Sequence, residues 1–527
     1  FGVGATLYWI IEPVKGLRYR GAVNTGYSGS NYRNFSQPYS QSSTNASGTY
    51  GIQMGESQSG SIQFENTITY TLPQLGKHNI DVMVGQSFEK NMWNADMYEA
   101  ATVAATSAKS LLLRGFDYAW PSNFDLENLT GFSGSGDDDV SIASFFARAN
   151  WNYDEKYMAT ATIRRDGSSR FARGHRWGTF PSFSAGWDIT REIFMENTSS
   201  WLDQFKIRAS WGQNGNCEIP NGYYYLSNIK YSPTDYADFG YKFSSDMIST
   251  VNGDYKTGAY AANMPTPDLT WETSEQVDLG FDARFLDNRL GVNFDWYYKK
   301  TKDWLVAAPI EAMFGYEEAA MINGGDVRNK GFEIALSWND RINKDFGYHV
   351  NFNIATNSNK VTRLASATGR MDGLDSNGNA APALFENSGY IYRAEVGQPI
   401  GYFYGMSYSG IWQNEAQIEA ARAAGKAVLP GDPIWDDHNG DGQITYDGDD
   451  NDRHNIGNPH PKVNIGITLG FDYKGFDFNV ACVGAYGHQI MSYYRNNVTN
   501  PYSNYTKDIF DRWHGEGTSN SQPRLLL

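Results

Sequence analysis

Residues 289–299 read RLGVNFDWYYK, with an apolar or aromatic residue at every second position and Gly, Asn, Asp and Tyr between them. Just upstream, residues 276–285 read QVDLGFDARF and alternate in the same way. This period of two places successive side chains on opposite faces of a strand, so that one face is apolar and the other is polar. The pattern recurs along the chain without a helical repeat that would supply a core. It therefore predicts a membrane β-barrel, whose sheet meets lipid on one face and water on the other.

The alternation predicts fourteen strands, arranged in pairs that are joined by short turns. The expected strands are 3–11, 17–28, 61–72, 78–89, 141–152, 156–165, 179–189, 202–211, 275–285, 289–300, 329–339, 346–358, 462–472 and 475–484. The turns within pairs are tight, as in 153–155, 286–288 and 473–474, whereas long polar loops separate the pairs. Short turns on one side and long loops on the other are typical of an outer-membrane barrel, with the long loops outside.

Two soluble all-β folds are the structural alternatives. A pair of β-sandwiches also shows alternation, but sandwich turns recur at regular short spacing and rarely alternate with very long loops. A parallel β-helix requires a fixed short repeat, which this sequence lacks. The segment 401–406 would break the pairing of strands if it crossed a membrane, so we assign it to the outer loop 359–461. An all-β, antiparallel membrane barrel is the favoured fold.

Composition agrees with a barrel and excludes several functions. The chain has 35 Tyr, 29 Phe and 15 Trp, and barrels use such residues as girdles at both membrane interfaces. No apolar run of about 18 residues occurs, so no transmembrane helix is predicted. A net charge of −16 argues against nucleic acid as a partner. The two cysteines, Cys217 and Cys482, occur without a CxxC motif, and the eight His show no ligand spacing, so neither a disulfide framework nor a catalytic metal site is predicted.

Several stretches resemble the SusC/RagA class of TonB-dependent outer-membrane transporters of Bacteroidota. The most specific is KYMATATIRRDGSSRFARGHRWGTFPSFSAGW at 156–187. Further matching stretches are LDQFKIRASWGQNGN at 202–216, LDNRLGVNFDWYYKKTKDWL at 286–305, VRNKGFEIALS at 327–337, IGNPHPKVNIG at 456–466, and Arg512-Trp513 followed by Pro523-Arg524. These stretches follow the order of the family and cover most of the region 150–525.

The resemblance implies a 22-stranded barrel, an N-terminal plug with a TonB box, and a SusD-like lipoprotein lid. Residues 1–527 would then be part of the barrel domain, including the long extracellular loop 359–461. The plug, the TonB box and the last barrel strands are expected to be absent from this chain. The implied location is the outer membrane of a Gram-negative bacterium.

The function implied by this resemblance is import of oligosaccharides, or of peptides, energised by TonB–ExbB–ExbD. No enzymatic activity is expected and no cofactor is required. Two alternatives stay open: a non-transporting surface barrel that serves as an adhesin or scaffold, and a secreted β-rich carbohydrate-active protein. The latter would need two carboxylates placed about a sugar, and the acidic residues give no basis for choosing a pair.

Residues 437–445 read DHNGDGQIT and fit the calcium-loop pattern D-x-N-x-D-G-x-I. Oxygens at positions 1, 3, 5 and 7 of such a loop converge on a hard cation, and the glycine at position 6 makes the bend. The stretch 432–452 contains eight Asp, whose charge a bound Ca²⁺ would neutralise. The candidate metal ligands are Asp437, Asn439, Asp441 and Gln443.

This calcium interpretation has one weak point and one alternative. The acid expected at position 12 is replaced by Gly448, although Asp447 or Asp449 offers a substitute with altered geometry. The alternative is an Asx-turn loop without metal, in which Asp and Asn side chains bond their own backbone. A bound cation would stiffen an extracellular loop and would have no catalytic role.

Aromatic residues in the predicted outer loops are candidates for substrate contact. Sugar rings stack on aromatic faces, while Asp and Asn accept hydrogen bonds from the hydroxyl groups. The alternative is that these rings pack the loops together or meet the lipoprotein lid, because Tyr and Trp are enriched at interfaces. The candidate substrate-binding residues are Tyr224, Tyr225, Trp412 and Trp435.

Overall fold

The structure is a computed structural model, and it divides the chain into two compact units. The first comprises Phe1–Glu192, Arg208–Ser274 and Ile310–Met321, and the second comprises Ile193–Ile207, Glu275–Pro309 and Ile322–Leu527. The structure describes residues 1–36, 39–41, 46–47, 49–104, 129–136, 140–219, 222–227, 229–232, 258–308, 316, 320–366, 368–373, 391–423, 427–446, 448, 450–491 and 507–525.

Strands β1–β13 belong wholly or mostly to the first unit. They are β1 (Gly2–Val14), β2 (Leu17–Ser36), β3 (Tyr39–Ser40), β4 (Ala46–Ser47), β5 (Thr49–Thr71), β6 (His78–Ala104), β7 (Leu129–Gly136), β8 (Ser141–Tyr153), β9 (Tyr157–Ser168), β10 (Trp177–Asp188), β11 (Leu202–Asn216), β12 (Ile229–Ser232) and β13 (Gly258–Ala261).

The second unit contains the later strands and helix α1. They are β14 (Glu272–Phe285), β15 (Leu290–Ala308), β16 (Ala320–Asn343), β17 (Phe346–Thr356), β18 (Ser358–Leu364), β19 (Arg370–Asp372), β20 (Tyr392–Glu395), β21 (Tyr402–Gly405), β22 (Tyr408–Ile411), α1 (Glu415–Ala423), β23 (Pro433–Trp435), β24 (His454–Gly457), β25 (Val463–Tyr473) and β26 (Phe476–Tyr486). Short 3₁₀ helices occupy Ile189–Arg191, Ile193–Thr198 and Lys507–Asp511. Within the described ranges, no helix has the length and apolar character needed to cross a membrane.

Within the described residues, the fourteen predicted strands all lie in the main sheet. The strand order of the main sheet is β1-β2-β5-β6-β8-β9-β10-β11-β14-β15-β16-β17-β25-β26, with β7 beside β6 and β18 beside β16. Several strands continue past their predicted ends, as β6 does to Ala104. Alternation cannot mark such extensions, because neither face needs to be apolar once a strand has left the membrane. The segment 401–406 contains β21, which lies in a separate sheet of order β19-β20-β21-β24, so its exclusion from the main sheet is also confirmed.

The short turns adopt left-handed backbone conformations, which close a hairpin in few residues. Asp154 and Glu155 both have φ of 55°, and Lys474 has φ of 46°. Leu286, Asp287 and Asn288 form a run with φ of 58–61°. The backbone N–H of Asn288 donates to Asp203 Oδ2 at 2.9 Å, which stabilises this unusual run.

One face of the second unit's sheet is apolar and exposed. On β25 this face consists of Ile465, Ile467, Leu469, Phe471 and Tyr473, all of which are exposed. Because directly paired residues share a face, the pairing of β25 extends this surface over both neighbours. The added members are Phe346, Tyr348, Val350, Phe352 and Ile354 of β17, and Phe476, Phe478, Val480 and Cys482 of β26.

The reverse face of the same three strands is polar. It carries Asn464, Thr468 and Asp472 on β25, opposite Ala355, Asn351 and Gly347 on β17. Aromatic rings cluster on the apolar face beside the short turns, where Phe471 lies 5.9 Å from Phe346 and 5.3 Å from Phe478. An exposed apolar face with an aromatic rim and a polar reverse face is the arrangement expected of a membrane β-barrel.

The first unit repeats this arrangement independently. Phe145, Ile163 and Phe183 are exposed on one face of β8, β9 and β10. At the short-turn end of these strands, the Tyr157 ring lies 6.2 Å from Tyr153 and 6.3 Å from Trp187. Both units therefore present an apolar surface that ends in aromatic residues.

Candidate functional site

The polar face of the first unit is lined by hydrogen-bonded side chains. Asn150 donates to Asp81 at 2.9 Å and accepts a hydrogen bond from Thr160 at 2.9 Å, which links β6, β8 and β9. Arg20 pairs with Glu65 at 3.0 Å across β2 and β5. Because these groups are polar and mostly paired, this surface is suited to contact with water and hydrophilic solutes.

The described segments between β18 and β25 are organised around Tyr404 on β21. The guanidinium of Arg393 lies 3.3 Å from the centre of the Tyr404 ring, and that of Arg453 lies 4.4 Å from it. Two cations against one ring form strong cation–π contacts when they are shielded from water, and Arg393 is buried. Arg393 also donates to both oxygens of Asp372, at 2.5 and 3.1 Å. These contacts join β19, β20, β21 and the segment before β24.

A second polar contact lies beside this cluster. The Tyr402 hydroxyl is hydrogen-bonded to Glu395 at 2.5 Å, and Tyr402 is buried. Burial, followed by the hydrogen bond to the Glu395 carboxylate, raises the pKa of Tyr402 far above its ordinary value. Tyr402 therefore stays a neutral hydrogen-bond donor at any physiological pH.

Asp452 holds the Asp-rich loop in shape. Its carboxylate is fully buried and accepts backbone N–H groups of His438 at 2.8 Å, Asn439 at 3.4 Å and Thr445 at 2.7 Å. Burial raises the pKa of this carboxyl, but the three backbone donors outweigh burial, and the pKa lies below its ordinary value. The spacing of the calcium motif did not reveal Asp452, because the residue lies beyond position 12.

Three of the four candidate metal ligands accept backbone N–H groups of this loop, and the fourth, Gln443, donates its backbone N–H to one of them. Asp437 accepts the N–H groups of Gly440 at 2.7 Å and Gly442 at 2.8 Å. Asn439 Oδ1 accepts the N–H of Asp441 at 3.1 Å, and Asp441 Oδ1 accepts that of Gln443 at 2.7 Å. These contacts are those of the Asx-turn alternative.

The calcium assignment stays a prediction. Among the residues that the structure describes, no group of three or more His, Cys, Asp or Glu side chains is arranged to hold a metal ion. The proposed substitutes Asp447 and Asp449 lie outside the described residues. Calorimetric titration of the full-length protein with Ca²⁺ distinguishes the two interpretations, because a metal-free Asx-turn loop releases no binding heat.

The four candidate aromatic residues differ in exposure. Tyr224 is buried and Tyr225 is half-buried, with its ring 5.6 Å from Tyr223, so both contact protein, as in the packing alternative. Trp412 is half-buried, and its backbone N–H donates to the carbonyl of Asp432 at 3.0 Å. Trp435 is 42% exposed, which leaves much of its ring open to a ligand.

Tyr408 forms an exposed pair with Trp435 that the sequence did not reveal. The two residues are paired across β22 and β23, and their rings meet edge to face at 5.8 Å. Ser407, next to Tyr408, donates to Asp436 Oδ2 at 2.5 Å. An aromatic surface with a carboxylate beside it offers both stacking and hydrogen bonding to a sugar. Only the pairing of two short strands, separated by α1 in sequence, brings these residues together.

The segment after residue 507 fixes this aromatic pair in place. The Tyr408 hydroxyl donates to the carbonyl of Ser521 at 2.7 Å. Arg524 pairs with Asp432 at 2.7 Å, and Trp513 Nε1 donates to Gln413 at 3.3 Å. Trp513 and Arg524 belong to the family-like stretches near the end of the sequence. Their contacts show that both residues attach this segment to the loop.

Comparison with known proteins assigns the fold. Residues 4–429 match the family described as TonB dependent receptor-like, beta-barrel. The chain is 30% identical to TonB-dependent receptor P3 of Formosa agariphila, over 87% of this chain and 42% of that relative. It is 26% identical to TonB-dependent receptor SusC of Bacteroides thetaiotaomicron, over 83% of this chain and 39% of that relative. The chain thus spans less than half the length of these curated relatives.

A solved structure gives the same result for the fold. The structure of the RagAB peptide transporter superposes with a TM-score of 0.77 at 20% identity, covering 99% of this chain and 52% of that chain. At this identity the likeness concerns the fold alone.

Proposed function

The chain belongs to the TonB-dependent receptor β-barrel family, and we propose that it is the barrel part of a nutrient importer. The family is an outer-membrane family of Gram-negative bacteria, which locates the chain there. Its cargo would be an oligosaccharide or a peptide, with oligosaccharide as the first candidate. The two-faced sheet is the observation that supports this proposal most directly, because an exposed apolar face backed by a polar face suits a wall between lipid and an aqueous path.

The partners are part of the same proposal. The TonB-dependent relatives support energisation by TonB–ExbB–ExbD, and similarity to SusC supports a SusD-like lipoprotein over the outer loops. The chain itself would catalyse no reaction. The relatives reported above are named as receptors or transporters, which agrees with this role and gives no support to an adhesin or a secreted carbohydrate-active protein.

The exposed Tyr408–Trp435 pair supports oligosaccharide as the first candidate cargo. Its rings are accessible on the outer-loop region, and Asp436 lies next to them as an acceptor for hydroxyl groups. Aromatic stacking supplies affinity without a strict sequence of polar contacts, which suits capture of a flexible chain of sugars.

A transport assay with the full-length protein tests the proposal. A deletion strain is grown with single oligosaccharides or peptides as the limiting nutrient, with and without the restored gene. We expect growth on one cargo class to require the protein and an active TonB system. Growth on every cargo at the same rate without the protein would refute the import function.

Two variants then test the cargo contact. Removal of both rings, Tyr408→Ala with Trp435→Ala, is expected to weaken uptake at low cargo concentration by roughly tenfold or more, because each stacked ring contributes about 0.5–1.5 kcal/mol. Phe510→Ala removes another exposed outer aromatic residue and is the matched control. Equal uptake by the double variant and the control would refute the contact while leaving import intact.

A further inference from the structure

The apolar face of the second unit changes to a basic one at the end far from the short turns. On β15 this face runs from Leu290 to Tyr298, and the next residues on the same side are Lys300 and Lys302. A tilted membrane strand needs about 9–11 residues to cross the bilayer, which is the length of that apolar stretch. The two lysines therefore stand just beyond the hydrocarbon region.

The next strand makes the same change at the same side. On β16, Leu336 and Phe332 are exposed members of the apolar face, and Lys330 and Arg328 follow with the same parity. The pairing of β16 with β18 adds two more cations, because Arg328 is opposite Lys360 and Asp326 is opposite Arg363. We call Lys300, Lys302, Arg328, Lys330, Lys360 and Arg363 the basic row.

The opposite side of these strands is packed against protein. Val327 and Val361 alternate with members of the basic row, and they lie in a buried apolar cluster with Leu364. The basic row therefore continues the lipid-facing surface and does not face the polar side of the sheet.

Half of the basic row already has acidic partners. Lys302 pairs with Glu275 at 2.5 Å, and Lys300 pairs with Asp326 at 3.1 Å. Arg363 lies 2.9 Å from both Asp303 and Asp326.

The other three cations have no such partner. In the part of the chain that the structure describes, Arg328, Lys330 and Lys360 form no ion pair, and Arg328 Nε is buried without a hydrogen-bond acceptor. Three adjacent unpaired cations repel one another unless an anion lies among them.

We propose that the basic row binds the phosphate groups of the outer-leaflet glycolipid, lipid A. Arg and Lys are the side chains that bind phosphate most strongly, and basic clusters at the membrane surface recognise anionic head groups. Trp296 is exposed on the same face of β15, just below the row. Tryptophan is a residue that anchors membrane proteins at the level of the lipid head groups. The proposal is independent of what the barrel transports.

Native mass spectrometry of the full-length protein in detergent tests this site. Diphosphorylated lipid A is titrated against the wild type and against the triple variant Arg328→Gln, Lys330→Gln, Lys360→Gln. We expect the triple variant to bind roughly 100-fold more weakly, since each cation at a membrane surface contributes about fivefold. Dephosphorylated lipid A is expected to bind the wild type as weakly as lipid A binds the variant.

A second triple variant, Lys299→Gln, Lys344→Gln, Lys474→Gln, removes the same charge elsewhere and is the control. Lys299 faces the other side of β15, and Lys344 and Lys474 lie at short turns. The control should keep wild-type affinity. Equal loss in both triple variants, no loss in the first, or equal binding of dephosphorylated lipid would overturn the proposal.

A single variant covers the case in which the first triple variant folds poorly. Lys330→Gln, at an exposed position, is expected to bind lipid A about fivefold more weakly. Unchanged binding by this variant would count equally against the proposal.

Discussion

The β17–β25–β26 sheet and the loops around Tyr404, between β18 and β25, are built by opposite rules. The sheet exposes large apolar side chains and relies on regular backbone pairing, so no single side chain defines it. The loops bury charged groups, Arg393 and Asp452, and depend on particular contacts that these groups make. The sheet is therefore specified by its alternation of apolar and polar residues and by the lipid and water on its two faces, whereas the loops are specified by individual residues.

A charge on the apolar face should break the sheet most severely. Leu469→Arg places a cation at the middle of β25, and we expect a loss of about 2–4 kcal/mol in the free energy of unfolding, because a charge at the bilayer midplane is costly. The measurement is equilibrium unfolding of the full-length protein from lipid vesicles. Thr468→Arg, on the polar face, is the control and should cost far less. Equal losses would mean that the two faces do not differ in environment.

Loss of a buried carboxylate should destabilise the loop almost as strongly, and this effect should be confined to the loop. Asp452→Ala leaves backbone N–H groups of His438, Asn439 and Thr445 without an acceptor, at an expected cost of about 1–3 kcal/mol. Hydrogen exchange of residues 437–446 should accelerate while exchange in β25 stays unchanged. Asp450→Ala, at an exposed position in the same loop, should leave both rates close to wild type.

Acid should act on the loop through the same group. Because the folded-state pKa of Asp452 lies below its ordinary value, its stabilising contribution is complete above the unfolded pKa of about 3.9 and is lost as the pH falls through the folded pKa. We expect the protection of the loop amides, which is the intrinsic exchange rate divided by the observed rate at the same pH, to fall only below about pH 4. This fall should occur in the wild type but not in Asp452→Ala. A loss of protection that begins near neutral pH would assign the effect to another group.

The cation–π cluster should give the smallest effect. Tyr404→Leu removes the ring between Arg393 and Arg453 and is expected to cost about 1–2 kcal/mol of loop stability. Tyr404→Phe keeps the ring and loses only the hydroxyl that donates to Asn451 at 2.9 Å, so it should retain most of that stability. Limited proteolysis between residues 391 and 458 measures both. If both variants were cleaved faster than the wild type and at the same rate, the stability would come from the hydroxyl and not from the ring.

The same difference explains what could be predicted from sequence. The strands followed from alternation, because a period of two is forced wherever a sheet separates lipid from water. The bounds of β14 and the start of β15 came out within a few residues, whereas β15 continues to Ala308, well past its predicted end at 300. The turn at Leu286–Asn288 followed from the break in that alternation, although its three left-handed residues did not.

The loops offered no comparable pattern. Trp435 was singled out as an aromatic residue in a wet segment, but its partner Tyr408 was not, because their contact depends on the pairing of β22 with β23. Asp452 was hidden among the other aspartates of 432–452, and only its burial and three backbone donors distinguish it. Residues that act through long-range contacts leave no local trace in a single sequence.

The central claim is that alternate side chains of one strand meet lipid and water. Spin labels placed singly at 464, 465, 467, 468 and 469 of the full-length, reconstituted protein, with Cys217 and Cys482 replaced by Ser, test it directly. Collision with oxygen, which concentrates in lipid, should be high at Ile465, Ile467 and Leu469. Collision with a water-soluble nickel chelate should be high at Asn464 and Thr468. Accessibility that fails to alternate, or equal nickel access at all five positions, would contradict the assignment of this sheet to a membrane.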